Sequence, residues 1–159
     1  MSTVPRLERP QLKIRQPRVR LSALTPHYWL ANNPVATHFM NALSCLLPAA
    51  ESYFVRSVLV YRSHIKDREL KVELRNFAGQ ESIHNHEYNK VTQWLDDYGL
   101  PASYFARRMD RALRRWNLIV PSKFCLAHTA ALEHLIAAIS HGILSDRALI
   151  QSIHPDVRS

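Results

Sequence analysis

Two residues in the middle of the chain, Glu81 and His84, have the types and the spacing of metal ligands. They lie in the segment FAGQESIHNHEYNKV, residues 77–91, whose apolar side chains otherwise recur at helical intervals. Residues three apart lie side by side on one helix face, so the carboxylate and the imidazole point into the same volume. A buried carboxylate is unfavourable unless it is paired, hydrogen-bonded or bound to a cation. The pair therefore predicts either a metal site or a structural Glu–His contact.

The pair interrupts a continuous apolar stripe, whose positions step alternately by four and three residues, as on a helix face that packs against a partner helix. The stripe consists of Leu70, Leu74, Phe77, Glu81, His84, Tyr88, Val91, Leu95 and Tyr98. An inward-facing Glu-x-x-His motif is the di-metal carboxylate signature of helical bundles. One such motif arises often by chance, so further carboxylates with the same placement are needed.

Two other predicted helices each carry such a carboxylate. Glu51 and Glu133 both interrupt an apolar face, with apolar or small residues one turn away on either side. Three carboxylates near the middle of three buried helix faces predict one shared site. Its metal ligands would be Glu51, Glu81, His84 and Glu133. Oxygen ligands with one imidazole favour iron or manganese, and zinc also accepts such a set.

Three segments of the chain resemble a known family. They are NPVATHFMNALSCLLPAAESYFVRSV (33–58), FAGQESIH (77–84) and LAHTAALEHLIAAI (126–139). Together they resemble the bacterial proteins called predicted metal-dependent hydrolases. The resemblance implies a cytoplasmic, ferritin-like helical metalloprotein that acts on a small-molecule substrate. It also implies that the four residues named above carry the metal.

The resemblance further implies a helix beyond the end of this sequence, with a second motif similar to Glu-x-x-His. A four-helix di-metal site takes one Glu from each of two helices and a Glu-x-x-His motif from each of the other two. The sequence to Ser159 supplies Glu51, Glu133 and a single Glu-x-x-His motif. Three explanations stay open: a truncated chain, a homodimer in which a second protomer completes the site, or a single bound metal ion.

Three functions fit these residues. The first is metal-dependent hydrolysis, and the second is oxygen chemistry by a di-iron oxidoreductase with the same ligands. The third is a catalytically inactive helical adaptor that binds membrane or nucleic acid through basic segments. The segment YFARRMDRALRRWN, residues 104–117, supports the third, because an apolar face beside five arginines is typical of an interfacial helix. The same segment could instead pack on the bundle as a lid with a solvated arginine face.

Helices are the elements that must position these groups. Hydrophobic periodicity predicts helices over 34–64, 67–98, 103–117 and 121–144, with a kink or a new helix start at Pro48. The predicted fold is an all-α, ferritin-like bundle of three long helices and a short basic one, complete or incomplete. The predicted division is an extended, basic, Pro-rich arm (1–33), a metal-binding bundle (34–145) and a polar C-terminal tail (146–159).

Composition restricts the partners. The net charge is +8, and the first 20 residues contain six of the cations but no aromatic residues among them, so no specific nucleic-acid partner is predicted. No apolar run is long enough for a transmembrane segment, whereas peripheral membrane contact fits the basic segments. Cys45 and Cys125 lie far apart in apolar surroundings, which predicts reduced thiols in the cytoplasm.

Overall fold

The structure is a computed structural model that describes residues 12–17 and 20–158. These residues form four long helices followed by two short ones. The helices are α1 (Pro34–Leu59), α2 (Arg68–Asp97), α3 (Ala102–Ile119), α4 (Ser122–Ser145), α5 (Arg147–Ser152) and α6 (Pro155–Arg158). The predicted all-α helical bundle is confirmed. Among the described residues, no helix combines the length and the apolar character that crossing a membrane requires.

Local signals in the sequence set the ends of α1 and α2. The Asn33 side chain accepts a hydrogen bond from the Ala36 amide at 3.1 Å, and Pro34 occupies the first turn of α1. The Asp67 carboxylate caps α2 by accepting from two backbone amides. Beyond the end of α2, Gly99 has a φ of +81°, a left-handed conformation that glycine adopts without steric penalty.

Pro48 lies inside α1 and does not start a new helix there, because α1 continues to Leu59. The helix ends before the predicted His64, and turns follow it. The Pro48 carbonyl accepts a hydrogen bond of 2.6 Å from Nδ2 of Asn85, which also donates to the Ser52 hydroxyl. These bonds attach α2 to α1 beside the position of Glu51.

The helix α1 is central, since it packs against α2, α3 and α4. Two groups of buried apolar residues lie along it. The first comprises Trp29, Leu30, Trp94, Leu95 and Ala102. The second comprises Tyr53, Phe54 and Cys125. Because each group draws on several helices, α1 and α2 are held at a fixed separation over the length that contains the acidic residues.

The described part of the N-terminal arm lies along α2. Asn76 donates to the Leu12 carbonyl at 3.1 Å, and the Gln80 amide pairs with both backbone groups of Arg15. Residues 1–11, 18 and 19, which contain much of the predicted basic charge, lie outside the described residues, as does Ser159. The bundle thus extends its contacts to residues before position 34.

Residues 147–152 and 155–158, within the predicted polar tail, form α5 and α6. Leu149, Ile153 and Val157, each four positions apart, pack against the first apolar group. The His154 amide donates to the Trp29 carbonyl at 2.8 Å. These three apolar residues give the otherwise polar segment a side that packs against the core.

Candidate metal centre

The facing sides of α1 and α2 bring Glu51, Glu81 and His84 together. One potential ligand atom from each of these residues lies within 4.8 Å of the others. Nδ1 of His84 is 3.4 Å from Oε2 of Glu81 and 3.9 Å from Oε1 of Glu51. Both carboxylates are buried, with 5% of each residue exposed. Two buried acids from two helices therefore converge on one imidazole, whose side chain is 34% exposed.

Glu133 reaches the same region from α4 but is not a member of that group. It is half-buried, and its charge interacts with those of Glu81 and His84. Two buried oxygens, Oε2 of Glu51 and Oε1 of Glu133, find no hydrogen-bond partner within the described part of the chain. Buried acceptors are nearly always satisfied in folded proteins, so each of these oxygens is open to a further hydrogen-bond donor or a cation.

The pKa of Glu51 is raised to about 10. Burial is the largest cause, followed by a hydrogen bond with Glu81 and the negative charges of Glu81 and Glu133. At neutral pH and without a cation, Glu51 therefore carries a proton and shares it with Glu81.

Glu81 and His84 each favour the ionised form of the other. Burial raises the pKa of Glu81, but the hydrogen bonds from His84 and Glu51 outweigh burial and leave that pKa below its ordinary value. The hydrogen bond to Glu81 raises the pKa of His84 in turn, against an opposing effect of burial. Glu81 is thus the ionised carboxylate of the site, whereas Glu51 is protonated.

Gln80 supports the imidazole from the other side. Its Nε2 donates to Nε2 of His84 at 2.8 Å, and the same amide holds the backbone of Arg15. This partner on Nε2 restricts rotation of the imidazole ring and keeps Nδ1 directed at the carboxylates. Sequence reasoning did not assign Gln80 this role, although its position four residues before His84 places both on one helix face.

Tyr88 borders the cluster one turn beyond His84, with the two ring centroids 6.4 Å apart. Burial, and then the charges of Glu51, Glu81 and Glu133, raise its pKa to about 12. Its hydroxyl therefore stays protonated at neutral pH and is available as a hydrogen-bond donor at the edge of the cluster.

The remaining histidines near these helices lie elsewhere. Nδ1 of His128 is 3.0 Å from the Tyr53 hydroxyl, and its ring stacks on Phe124. The others are exposed: His38, His86, His134 and His141. Within the described residues, none of them joins the group formed by Glu51, Glu81 and His84.

The donor set fits a divalent cation. Glu51, Glu81 and His84 each offer one ligand atom within 4.8 Å of the others, and Glu51 and Glu133 each have a buried oxygen without a hydrogen-bond partner in the described residues. A cation would replace the proton of Glu51 and satisfy these oxygens. The ligand types are those of iron, manganese or zinc sites, and they do not choose among the three.

Residues 13–159 match a family model whose description is "Predicted metal-dependent hydrolase". No curated protein and no solved structure matches the chain. The match confirms the family resemblance seen in the sequence and extends it to the N-terminal arm and to α5 and α6.

Proposed function

Because the chain belongs to the family of predicted metal-dependent hydrolases, we propose that it hydrolyses a small-molecule substrate at a divalent-metal site. The proposed ligands are Glu51, Glu81, His84 and Glu133. The observation that carries the proposal is the buried cluster of α1 and α2, in which three potential ligand atoms lie within 4.8 Å of one another.

Each ligand has a distinct part. Glu81 is ionised and supplies the charge that attracts a cation. Glu51 gives up its proton on binding, and His84 turns Nδ1 towards both carboxylates. When bound, a divalent ion supplies Lewis acidity and makes water a stronger acid.

Glu133 has two possible parts in this proposal. Its unpaired, buried Oε1 suits a fourth ligand. Burial and the charge of Glu81 raise its pKa to about 7, which also suits a general base at neutral pH. We propose the ligand role and test it against the base role below. The Tyr88 hydroxyl, protonated beside the cluster, would donate to an oxygen of the substrate.

A di-iron oxidoreductase is the second candidate function. The carboxylate-rich ligands on facing helices favour it, because ferritin-like di-iron centres use the same residue types. Iron and manganese remain the proposed metals, with zinc as the alternative that would favour hydrolysis. A cytoplasmic location is proposed on the two free cysteines, Cys45 and Cys125.

We further propose a homodimer that buries the outer face of α4. Leu135 and Ile139, four residues apart on one face of this helix, are both exposed. Between Lys123 and Asp146, Glu133 is the one charged residue of the sequence, so the outer face carries little that would repel a second copy. Two-fold pairing places the same surface opposite itself, which suits an uncharged apolar face. A second protomer placed there would lie beside the helix that carries Glu133.

Metal analysis of the purified protein tests the main proposal. Inductively coupled plasma mass spectrometry should find near-stoichiometric metal in the wild type and none in the Glu81→Ala/His84→Ala variant. His86→Ala, which alters an exposed histidine on the same helix, is the matched control and should retain metal. The rates at which the wild type and the variants hydrolyse p-nitrophenyl acetate and p-nitrophenyl phosphate should increase with their metal content. A folded wild type that stays metal-free after reconstitution with iron, manganese and zinc would refute the proposal.

A further inference from the structure

The end of α3 and the start of α4 expose large apolar side chains. Leu118 is 86% exposed and Ile119 is 81% exposed. Trp116 and Phe124 flank them, both partly exposed, with their ring centroids 6.3 Å apart. We call these four residues the apolar tip. Exposed aliphatic and aromatic residues grouped in this way mark an interaction surface.

Positive charge surrounds the apolar tip. Between Asp110 and Glu133 the sequence contains no acidic residue, and its four cations are Arg111, Arg114, Arg115 and Lys123. All four are exposed. Asp110 itself is 2.7 Å from Arg114 and 3.2 Å from Arg56, so two arginines offset its charge. The surface around the tip is therefore strongly cationic.

The fold holds the apolar tip in place from behind. Leu113 and Val120, which precede and follow Leu118 and Ile119 in the sequence, pack against the buried group of Tyr53, Phe54 and Cys125. The Val120 amide donates to the Trp116 carbonyl at 2.9 Å. Because the tip is ordered before it meets a partner, little conformational freedom is lost on binding.

We propose that the apolar tip docks on an anionic membrane surface. Leu118 and Ile119 would enter the boundary between headgroups and acyl chains, and Trp116 would lie at the interface, where indole rings concentrate. The arginines would contact lipid phosphates. A nucleic acid would use the arginines but offers no apolar layer for two exposed aliphatic side chains, so the lipid surface fits the whole patch better.

This docking is separate from the proposed metal chemistry. The apolar tip contains none of the four proposed ligands, and its contacts with the bundle run through the buried group at Tyr53. Docking would hold the protein at a membrane surface, independently of the reaction that takes place at the metal centre. Loss of the metal site should therefore leave docking unchanged.

Sedimentation with vesicles tests the proposal. The full chain is mixed with vesicles of phosphatidylcholine alone or of an equal mixture of phosphatidylcholine and phosphatidylglycerol. We expect binding to the mixture that weakens as NaCl is raised, and little binding to phosphatidylcholine. The fluorescence of Trp116 should shift to the blue on binding, because Trp29 and Trp94 are already buried.

Two paired variants separate the apolar contribution from the cationic one. Arg111→Gln/Arg115→Gln should weaken binding on the order of thirtyfold. Leu118→Ser/Ile119→Ser should weaken it at least about tenfold. Leu24→Ser/Val35→Ser removes two equally exposed apolar residues elsewhere and should leave binding unchanged. Glu81→Ala/His84→Ala should bind vesicles like the wild type, so failure of the metal site does not affect the result.

Three outcomes would overturn the proposal. The first is equal binding to both vesicle types, or binding that is weakened neither by Arg111→Gln/Arg115→Gln nor by Leu118→Ser/Ile119→Ser. The second is binding to duplex DNA that depends on Arg111 and Arg115 but not on Leu118 and Ile119, which would assign the patch to nucleic acid. The third is conversion of a dimer to a monomer by Leu118→Ser/Ile119→Ser without vesicles, which would make the tip a protein interface.

Discussion

The imidazole of His84 on α2 lies 3.9 Å from the carboxylate of Glu51 on α1. The two residues are far apart in sequence, and their approach converts the local Glu81–His84 pair into a three-residue cluster. One of the two acids, Glu51, is kept neutral by burial and by Glu81, with its pKa raised to about 10. Without a cation, Glu51 therefore holds a proton at neutral pH, and a metal ion would have to displace that proton.

Metal binding should release protons. At pH 7 Glu51 is protonated, so a divalent cation must displace about one proton or more from the centre. Titration of metal-free protein with Mn²⁺ by calorimetry, in buffers of different ionisation enthalpy, measures the number released. Affinity should rise with pH, because the competing protons leave. Glu51→Gln should reduce the release, and a heat that is the same in every buffer would contradict the expectation.

The stability of metal-free protein should fall as pH rises through neutrality. Burial and the charge of Glu81 raise the pKa of Glu133 from 4.5 to about 7, so the folded state favours its neutral form. That contribution is complete below 4.5 and is lost as pH rises through about 7. Urea unfolding of chelator-treated protein at pH 6 and pH 8 measures the difference. Glu51, with its pKa raised to about 10, adds a further fall over the same range, so Glu133→Gln should make the dependence less steep without removing it. An equally steep profile in the variant would assign the whole dependence to Glu51 and other groups.

Substitution of Glu133 should distinguish its two proposed roles. If Glu133 is a ligand, Glu133→Gln lowers metal content and activity together, because the amide binds a cation more weakly than a carboxylate does. If it is the general base, the variant keeps its metal and loses activity by about 10²–10⁴-fold. Metal content and hydrolysis are measured on the same preparation. An active, metal-replete Glu133→Gln protein would remove Glu133 from the centre altogether.

Loss of the Gln80 side chain should loosen His84. Gln80 bonds Nε2 of His84 at 2.8 Å, and removal of such a partner lowers metal affinity about 10–100-fold. Competition with a chelating dye measures the affinity of Gln80→Ala. Gln93→Ala, which alters an exposed glutamine on the same helix, should keep the wild-type affinity. Equal affinities in the two variants would show that Gln80 does not support metal binding by His84.

Charge placed on the outer face of α4 should separate protomers. Leu135 is exposed, so Leu135→Glu should preserve the fold but set two negative charges close together in the proposed dimer. Light scattering coupled to size-exclusion chromatography measures the mass. Arg68→Glu, which changes a residue that is also exposed but lies on α2, is the control. A wild type that is monomeric at every concentration tested would contradict the dimer.

Sequence by itself determined the helices and the local half of the candidate centre. Capping at Asn33 and Asp67, and the left-handed Gly99, depend on groups within a few residues, so chain order suffices to find them. Glu81 and His84 share a face for the same reason, since a helix brings residues three apart together wherever it lies. The all-α class follows from periodicity along the whole chain.

Only the tertiary structure decided how the separate helix faces meet. It brought Glu51 to His84 and left Glu133 outside the 4.8 Å group, because helix offset and rotation arise from packing between distant residues. It also left much of α4 and the apolar tip exposed, although apolar composition alone would bury them. Periodicity identifies the apolar faces of the helices. Which of these faces become buried depends on how many packing surfaces the other helices of this chain provide.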